Sequence, residues 1–199
     1  MAYQVINLNC PGCGGGVSTS QKQCIFCGRP IVITSFSEMQ SFSSLDLNKY
    51  ASNYRKALAD NPDNDALNIS VAMCYLKLKL YDKALPAFEK AIEDNFDNSE
   101  TFFYAAVSLL KGKKAFLAPR TDINKIQEYL NAAIMIEPRG IYHYFLAYIK
   151  HDYFERKSLN VVPNWEETLQ IANQSGVSQA DITQLFEILQ VEIPKCLSV

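Results

Sequence analysis

Apolar residues recur every three or four positions from Asn48 to near the end of the chain, and glycine is rare there. This spacing places apolar side chains on one face of an α-helix. The clearest case is residues 65–98, DALNISVAMCYLKLKLYDKALPAFEKAIEDNFDN, whose pattern predicts two successive helices. The residues before Asn48 lack this pattern, so the sequence predicts a mainly helical chain with a different N-terminal part.

The segment 65–98 resembles a tetratricopeptide repeat, which is a pair of antiparallel helices with this period. In that family, small residues let the two helices approach closely and aromatic residues fill gaps between neighbouring repeats. Residues of the right kind stand at five of the family's positions: Ala72, Tyr75, Ala84, Phe88 and Ala91. Two positions depart from the family, since Asn68 replaces the common Trp and Phe96 replaces the terminal Pro.

Neighbouring repeats are expected, because one repeat cannot bury both of its faces. Residues 48–64 carry the pattern of a second helix one repeat length earlier. Residues 124–140 carry it again after about eight additional residues. We assign these to a basic insertion near 111–122, KGKKAFLAPRTD. A further helix is predicted from Ile141 to about Ser158.

Two shorter helices are predicted beyond Pro163, with Asn164 and Ser178 as their N-caps. Two helices joined by a short turn superficially resemble a DNA-binding helix-turn-helix. The second helix carries Asp181 and Glu187 but no Lys or Arg, which suits a phosphate-lined groove poorly. We therefore predict that the pair caps the end of the helical array.

Four of the six cysteines form two Cys-x-x-Cys pairs near the N-terminus, and each pair is followed by glycine. Two intervening residues let one tight turn direct both sulfurs to a point, and the glycine can adopt a positive φ. Two such turns supply the four sulfurs of a tetrahedral Zn²⁺ site. A segment of about 30 residues cannot fold on its own hydrophobic core, so bound metal would supply the missing stability. The cysteines are Cys10, Cys13, Cys24 and Cys27.

This stretch, CPGCG and CIFCG separated by ten residues, resembles the short zinc-ribbon family over about residues 7–34. The resemblance implies a small β ribbon that holds a structural Zn²⁺ through the four cysteines. Ile25 stands where that family often has Pro. An iron–thiolate site and a redox-active pair are alternatives, but the first uses a longer separation and the second needs a βαβ setting. The ribbon is either a folding element alone or a binding module.

The bulk properties exclude several classes of protein. The net charge of −2 and a pI near 5.7 give no global basic field to attract nucleic acid. No apolar run is long enough to cross a bilayer, and the first residues do not resemble a signal peptide. Lys22 and Arg29 are the only cations in residues 1–34, so nucleic-acid binding is not favoured there. We expect a cytoplasmic protein with reduced thiols and no membrane partner.

No constellation for catalysis is visible in the sequence. No acidic or cysteine partner is expected to complete a ligand set with His143 and His151, which are interpreted as packing or surface residues. Cys74 is predicted to be a buried small residue. Phosphate-binding loops, nucleophile elbows and zinc-protease motifs are all absent. The sequence therefore favours a protein that is not an enzyme.

Two candidate binding surfaces remain, and both are expected to contact protein partners. The first lies on the concave side of the best repeat and consists of Ile69, Met73, Leu76 and Lys77. Those apolar residues could instead pack against a degraded helix or against the folded-back ribbon. The second lies in the basic insertion and consists of Lys113, Lys114, Phe116 and Arg120. This insertion is either a solvated loop or a contact for an acidic partner or ligand.

The sequence thus predicts a mainly α protein, a short tetratricopeptide-like helical solenoid with a small N-terminal β zinc ribbon. We expect a ribbon at 1–34, a serine-rich linker at 35–47, repeats at 48–160 and a capping pair at 161–199. Phe36, Met39 and Phe42 of the linker either attach the ribbon to the helices or form an exposed arm. The expected function is a non-enzymatic adaptor for protein–protein interaction. The alternative is a nucleic-acid-associated factor that uses the ribbon and residues 111–120.

Overall fold

The computed structural model describes residues 5–197 of the 199-residue chain. The chain divides into two compact units, Met1–Phe96 and Asp97–Val199. Each unit is built mainly from α-helices that follow one another closely in sequence. The predicted fold class, mainly α with a small N-terminal β element, is confirmed.

The first unit begins with two short strands and continues with three helices. Strands β1 and β2 pair antiparallel, so that Leu8 lies opposite Val17. A 3₁₀ turn at Ser37–Met39 precedes the helices. The elements are β1 (Asn7–Asn9), β2 (Gly16–Ser18), α1 (Ser44–Asp60), α2 (Asp65–Lys77) and α3 (Tyr81–Asp94).

The first two helices begin at side-chain caps. Ser43 and Asp46 form a capping box at α1, in which each side chain bonds the other residue's backbone N–H. At α2 the side chain of Asn64 accepts a hydrogen bond from the N–H of Leu67 at 3.0 Å. These bonds satisfy N–H groups that have no partner within the first helical turn.

Helices α2 and α3 pack as the antiparallel pair that the repeat pattern predicts. The small and aromatic positions are buried as expected at Ala72, Ala84, Phe88 and Ala91. Tyr75 differs, because it is only half-buried and Lys83 lies 5.8 Å from the centre of its ring. The amide of Asn68, which replaces the family's Trp, donates to the carbonyl oxygens of Pro62 and Asn64 at 2.9 and 3.1 Å.

The second unit contains five helices within its described residues, and a tight turn follows the third of them. The residues Lys150–Phe154 form a π-helical turn, and Ala115–Leu117 and Glu155–Lys157 form 3₁₀ turns. The helices are α4 (Ser99–Leu109), α5 (Arg120–Ile136), α6 (Gly140–Ile149), α7 (Trp165–Gln174) and α8 (Gln179–Leu189).

Side-chain caps also start the last two helices, as predicted. Asn164 forms a capping box with Glu167 at α7, and Ser178 accepts from the N–H of Asp181 at 3.1 Å at α8. The apolar face of α8 is buried at Ile182, Leu185, Phe186 and Leu189. Within the described part of the chain, no helix combines the length and apolar character needed to cross a membrane.

Helices α6 and α7 approach so closely that only glycine fits at the start of α6. A Cβ atom on Gly140 would lie 2.5 Å from the backbone nitrogen of Val177 and 2.8 Å from the carbonyl oxygen of Ala172. Both contacts are to backbone atoms, which cannot rotate away as the end of a flexible side chain can. The absence of a side chain at residue 140 is therefore required by packing.

Gly140→Ala is predicted to destabilise the protein by about 1–3 kcal/mol, because the added methyl group overpacks the contact between α6 and α7. Urea unfolding followed by circular dichroism measures this change. Gly16→Ala is the matched control, since no atom lies within 4 Å of a Cβ at that position. Equal stability of the two variants would contradict the close approach.

Candidate metal centre and binding surfaces

The four N-terminal cysteines converge on one point. Their sulfur atoms all lie within 4.8 Å of one another. The Sγ atoms of Cys10 and Cys27 are 3.7 Å apart, as are those of Cys13 and Cys24. Sulfurs at the corners of a tetrahedron, each bonded to zinc at about 2.3 Å, lie about 3.8 Å apart. A disulfide would require about 2.05 Å, so the arrangement fits a tetrahedral metal site.

Each Cys-x-x-Cys turn has the glycine conformation that its sequence predicts. Gly14 and Gly28 have φ values of +84° and +70°. Their N–H groups donate to the carbonyl oxygens of Cys10 and Cys24 at 2.9 and 2.8 Å. The N–H of Phe26 lies 3.4 Å from the sulfur of Cys24, so backbone dipoles also favour thiolate there.

The protonation of the thiols differs between neighbours in the absence of metal. Burial raises the pKa of Cys24, but hydrogen bonds from backbone N–H groups and from the Cys10 and Cys13 thiols lower it to about 7. At Cys27, the backbone hydrogen bond at Arg29 lowers the pKa, whereas burial and the other three thiols raise it to about 12. A divalent cation would have to displace protons from such thiols, so metal binding depends on pH.

The cysteine segment, residues 7–34, has a small hydrophobic core of its own. The core consists of Cys10, Val17, Cys24 and Ile31, with Leu8 and Val32 packed against it. Two of these four buried residues are cysteines of the cluster. Such a core is too small to hold a fold of this size, so the segment depends on other contacts.

Helix α1 supplies many of those contacts, because its side chains bind backbone carbonyl groups of the cysteine segment. The hydroxyls of Tyr50 and Tyr54 donate to the carbonyl oxygens of Pro30 and Ile31 at 3.1 and 2.8 Å. Burial raises the pKa of both tyrosines, so both hydroxyls remain protonated donors. The amide of Asn53 donates to the carbonyl oxygen of Pro11 at 3.0 Å.

Two cations add bonds between helix α1 and the cysteine segment. Lys49 donates to the carbonyl oxygen of Gly12, inside the first cysteine turn. Arg29 pairs with Asp46 at 2.5 Å, and this hydrogen bond, followed by those to Ser43, lowers the pKa of Asp46 to about 2. The pair therefore persists at all but strongly acidic pH. Helix α1 and both cysteine turns are consequently held in a fixed arrangement.

The chain that leaves the cysteine segment covers helix α2. Ile33, Phe36 and Met39 are buried. The N–H of Ile33 donates to Ser70 Oγ at 2.9 Å, and the Nζ of Lys77 lies 5.8 Å from the ring centre of Phe36. Phe36 and Met39 therefore attach the serine-rich stretch to the helices and do not form an exposed arm. We call residues 33–39 the covering segment.

The side chains of α2 that were expected to form a concave binding surface are mostly buried. Ile69, Met73 and Leu76 are buried, with exposed fractions of 8%, 0% and 0%. Lys77 is half-exposed. This differs from the expected exposed binding surface, and the covering segment contacts the same helix at Ser70 and Lys77. The three apolar residues belong to the core, which is the alternative that the sequence left open.

The basic insertion of the second unit has exposed cations, as the sequence suggests. Lys113, Lys114 and Arg120 are exposed, and Phe116 is half-buried. The N–H of Phe116 donates to Asp152 Oδ2 at 2.8 Å, which fixes the insertion to the π-helical turn.

The structure adds two cations to this surface that sequence reasoning missed. The guanidinium of Arg156 lies 4.4 Å from the ring centre of Phe116, and the Nζ of Lys157 lies 5.0 Å from it. Arg120 stacks in the same way, 4.7 Å from the ring centre of Phe154. The only local sequence signal was the run Glu155-Arg156-Lys157. We call the following set the basic–aromatic surface: Lys113, Lys114, Phe116, Arg120, Arg156 and Lys157.

Acidic residues neutralise only part of this surface. Asp152 is buried and pairs with Arg156 at 2.5 Å. Glu155 is exposed beside it. The five cations of this surface therefore outnumber the nearby carboxylates, which are Asp152, Glu155 and Glu192, the last of which lines a cavity with Lys114 and Arg156. The surface has the charge and the anchored aromatic group that suit an acidic protein segment.

The comparisons with known proteins bear on the helical part of the chain. Residues 51–102 match the family model described as tetratricopeptide repeat. The matched range spans part of α1, all of α2 and α3, and the beginning of α4. A search of curated proteins found no sequence that matches this chain.

Several solved structures are similar in backbone arrangement. The structure described as MamA MSR-1 C2 is 21% identical, with a TM-score of 0.49, over 64% of this chain and 66% of that one. MamA AMB-1 C2221 is 23% identical with a TM-score of 0.48, over 64% and 68%. MamA AMB-1 P212121 is 22% identical with a TM-score of 0.49, over 68% of each chain. This chain spans just under two thirds of the first of these structures.

Tyr54→Phe is predicted to destabilise the first unit by about 1–3 kcal/mol, because it leaves the carbonyl oxygen of Ile31 without its donor. Urea unfolding measures the loss. Tyr75→Phe is the matched control, since that half-buried tyrosine lies on the neighbouring helix and anchors no carbonyl of the cysteine segment. A Tyr54→Phe variant as stable as the control would show that the hydroxyl does not anchor the segment.

Proposed function

We propose that this chain is a non-enzymatic scaffold for protein–protein interaction, built from a structural zinc ribbon and tetratricopeptide-like helix pairs. The observation that carries the proposal is the basic–aromatic surface of the second unit, which is exposed and rigidly held. The family match at residues 51–102 supports it, because helix pairs of this class present surfaces to other proteins.

The zinc ribbon acts as a structural element in this proposal. Cys10, Cys13, Cys24 and Cys27 would hold one Zn²⁺, and four thiolates leave no open position for substrate or water. The cation would offset the mutual repulsion of four thiolates and close the two turns. The two cysteine turns would then position the backbone carbonyl groups that α1 binds. They would also position the covering segment, which packs on α2.

The partner that suits the basic–aromatic surface is an acidic protein segment. Lys113, Lys114 and Lys157 provide charges that carboxylates can pair with at the surface. The positions of Arg120 and Arg156 are fixed by stacking on aromatic rings, so less side-chain freedom is lost on binding. A cytoplasmic setting agrees with this proposal, because it keeps the thiols reduced.

Nucleic-acid binding is the second candidate, and the positive charge favours it as well. Single strands also need aromatic faces on which bases stack. Arg156 and Lys157 both lie over the ring of Phe116, so that ring is already engaged. In the cysteine segment, Arg29 is paired with Asp46, which leaves Lys22 as the other cation there. An acidic protein therefore fits better than nucleic acid.

Charge reversal tests the proposed surface. The double variant Lys113→Glu, Lys114→Glu is predicted to lose the protein partners that the unaltered chain retains in a pull-down, because it repels an acidic segment. The matched control is Arg55→Glu, Lys56→Glu, which changes the net charge equally at two exposed positions of α1. Mass spectrometry identifies the retained proteins, and thermal unfolding confirms that both variants fold.

Two outcomes would contradict the proposal. Retention of the same proteins by both double variants would exclude this surface as the binding site. Loss of the partners after nuclease treatment, together with a steep fall in binding between 50 and 200 mM salt, would favour nucleic acid.

Metal analysis tests the ribbon. The purified chain is predicted to contain one zinc per molecule, and Cys13→Ser is predicted to release it. Acidification is expected to release it as well, because protons compete with zinc for the thiolates. Cys74→Ser is the control, since that buried cysteine lies on α2 outside the cluster. Iron in place of zinc, or full zinc in the Cys13→Ser chain, would contradict the assignment.

A further inference from the structure

A cysteine and a histidine that are distant in sequence lie within hydrogen-bonding distance in the second unit. The Sγ of Cys196 is 3.1 Å from the Nε2 of His151. His151 lies in the π-helical turn after α6, and Cys196 lies in a 3₁₀ turn at Lys195–Leu197. The thiol is exposed. The sequence gives no sign of this pair, because its members are 45 residues apart.

Both members of the pair are held in place by packing. The carbonyl oxygen of Leu197 accepts a hydrogen bond from the hydroxyl of Tyr144 at 2.6 Å, and the side chain of Leu197 is buried. The ring of His151 packs edge-on against Trp165, with 5.1 Å between ring centres. The C-terminal turn therefore presents the thiol to the imidazole in a fixed geometry.

Cys196 differs from the other cysteines because its thiol is exposed to reagents and also has a possible base, His151, beside it. Cys74 is buried in α2, where burial raises its pKa to about 12 and withholds the thiol from reagents. The four cysteines of the first unit share one cluster. At Cys196 the thiol is exposed, and an imidazole nitrogen that could serve as a base lies 3.1 Å away.

The surroundings of the pair favour a negatively charged reagent. His151 lines a cavity of about 280 Å³ together with Lys114, Arg156, Glu192 and Lys195. Asp152 also lines it, but its carboxylate is engaged by Arg156 and by the N–H of Phe116. Among the described residues that line the cavity, Lys114, Arg156 and Lys195 outnumber Asp152 and Glu192, so its lining carries an excess of positive charge.

We propose that Cys196 is a modification site that forms a mixed disulfide with anionic low-molecular-weight disulfides, with His151 as the base. The thiol proton passes to Nε2 of His151, and the thiolate attacks one sulfur of the disulfide. A bond forms between Cys196 and that sulfur as the original sulfur–sulfur bond breaks. The departing thiolate takes the proton from the imidazolium, so one disulfide is exchanged for another and one free thiol is released.

The rate of modification of Cys196 by oxidised glutathione tests the proposal on the full, zinc-loaded chain. Mass spectrometry of the peptide that contains Cys196 reports the site directly, whatever happens at the other cysteines. The folded protein is expected to react about tenfold faster than the same chain in urea, where the imidazole is no longer adjacent. Equal rates in the folded and unfolded chains would overturn the proposal, and this measurement requires no variant.

Two sets of variants test the separate parts of the site. His151→Asn is expected to slow the reaction about tenfold, whereas His143→Asn, a half-buried histidine on α6, leaves it unchanged. An unchanged rate in folded His151→Asn would overturn the role of the base. Lys114→Glu with Lys195→Glu is expected to slow oxidised glutathione several-fold and to accelerate cationic cystamine. Equal effects on the two reagents would overturn the charge preference.

Discussion

The hydrogen bonds between helix α1 and the carbonyl groups of the cysteine segment are the contacts on which the first unit depends. The segment has a small hydrophobic core, and half of that core is cysteine. Tyr50, Asn53 and Tyr54 lie on one face of α1 and each bind a carbonyl group next to a cysteine turn. The helix beside the segment therefore contributes to its stability, and a metal bound by the four thiols would add to it.

The same attachment determines what the helix pair can offer to a partner. The covering segment follows the cysteine segment, which is bonded to α1, and contacts α2, where Ser70 accepts a hydrogen bond from the N–H of Ile33. Met73 on the same helix is fully buried. A surface that would be concave and open in an isolated repeat is core in this unit. The proposed binding surface therefore lies elsewhere, in the basic–aromatic surface of the second unit.

The basic–aromatic surface follows from a contact between the insertion and the π-helical turn. The carboxylate of Asp152 binds the N–H of Phe116 and the guanidinium of Arg156 at once. That buried carboxylate holds the backbone of Phe116 close to Arg156, and Arg156 and Lys157 both lie over the ring of Phe116. A π-helical turn of this kind often marks a functional position, and here it carries both Asp152 and His151.

The sequence by itself determined the local structure of this protein. Apolar spacing predicted the helices, Asn164 and Ser178 predicted two of their N-caps, and the glycine after each cysteine pair predicted the turns. These features could be predicted because each depends on neighbours within a few residues. Tertiary structure alone decided which faces are covered. Ser70 binds the backbone of Ile33, which is 37 positions away, and Arg156 reaches Phe116 across a similar distance. A pattern along the chain shows that a face is apolar or charged, but the contacts that cover it form between distant segments.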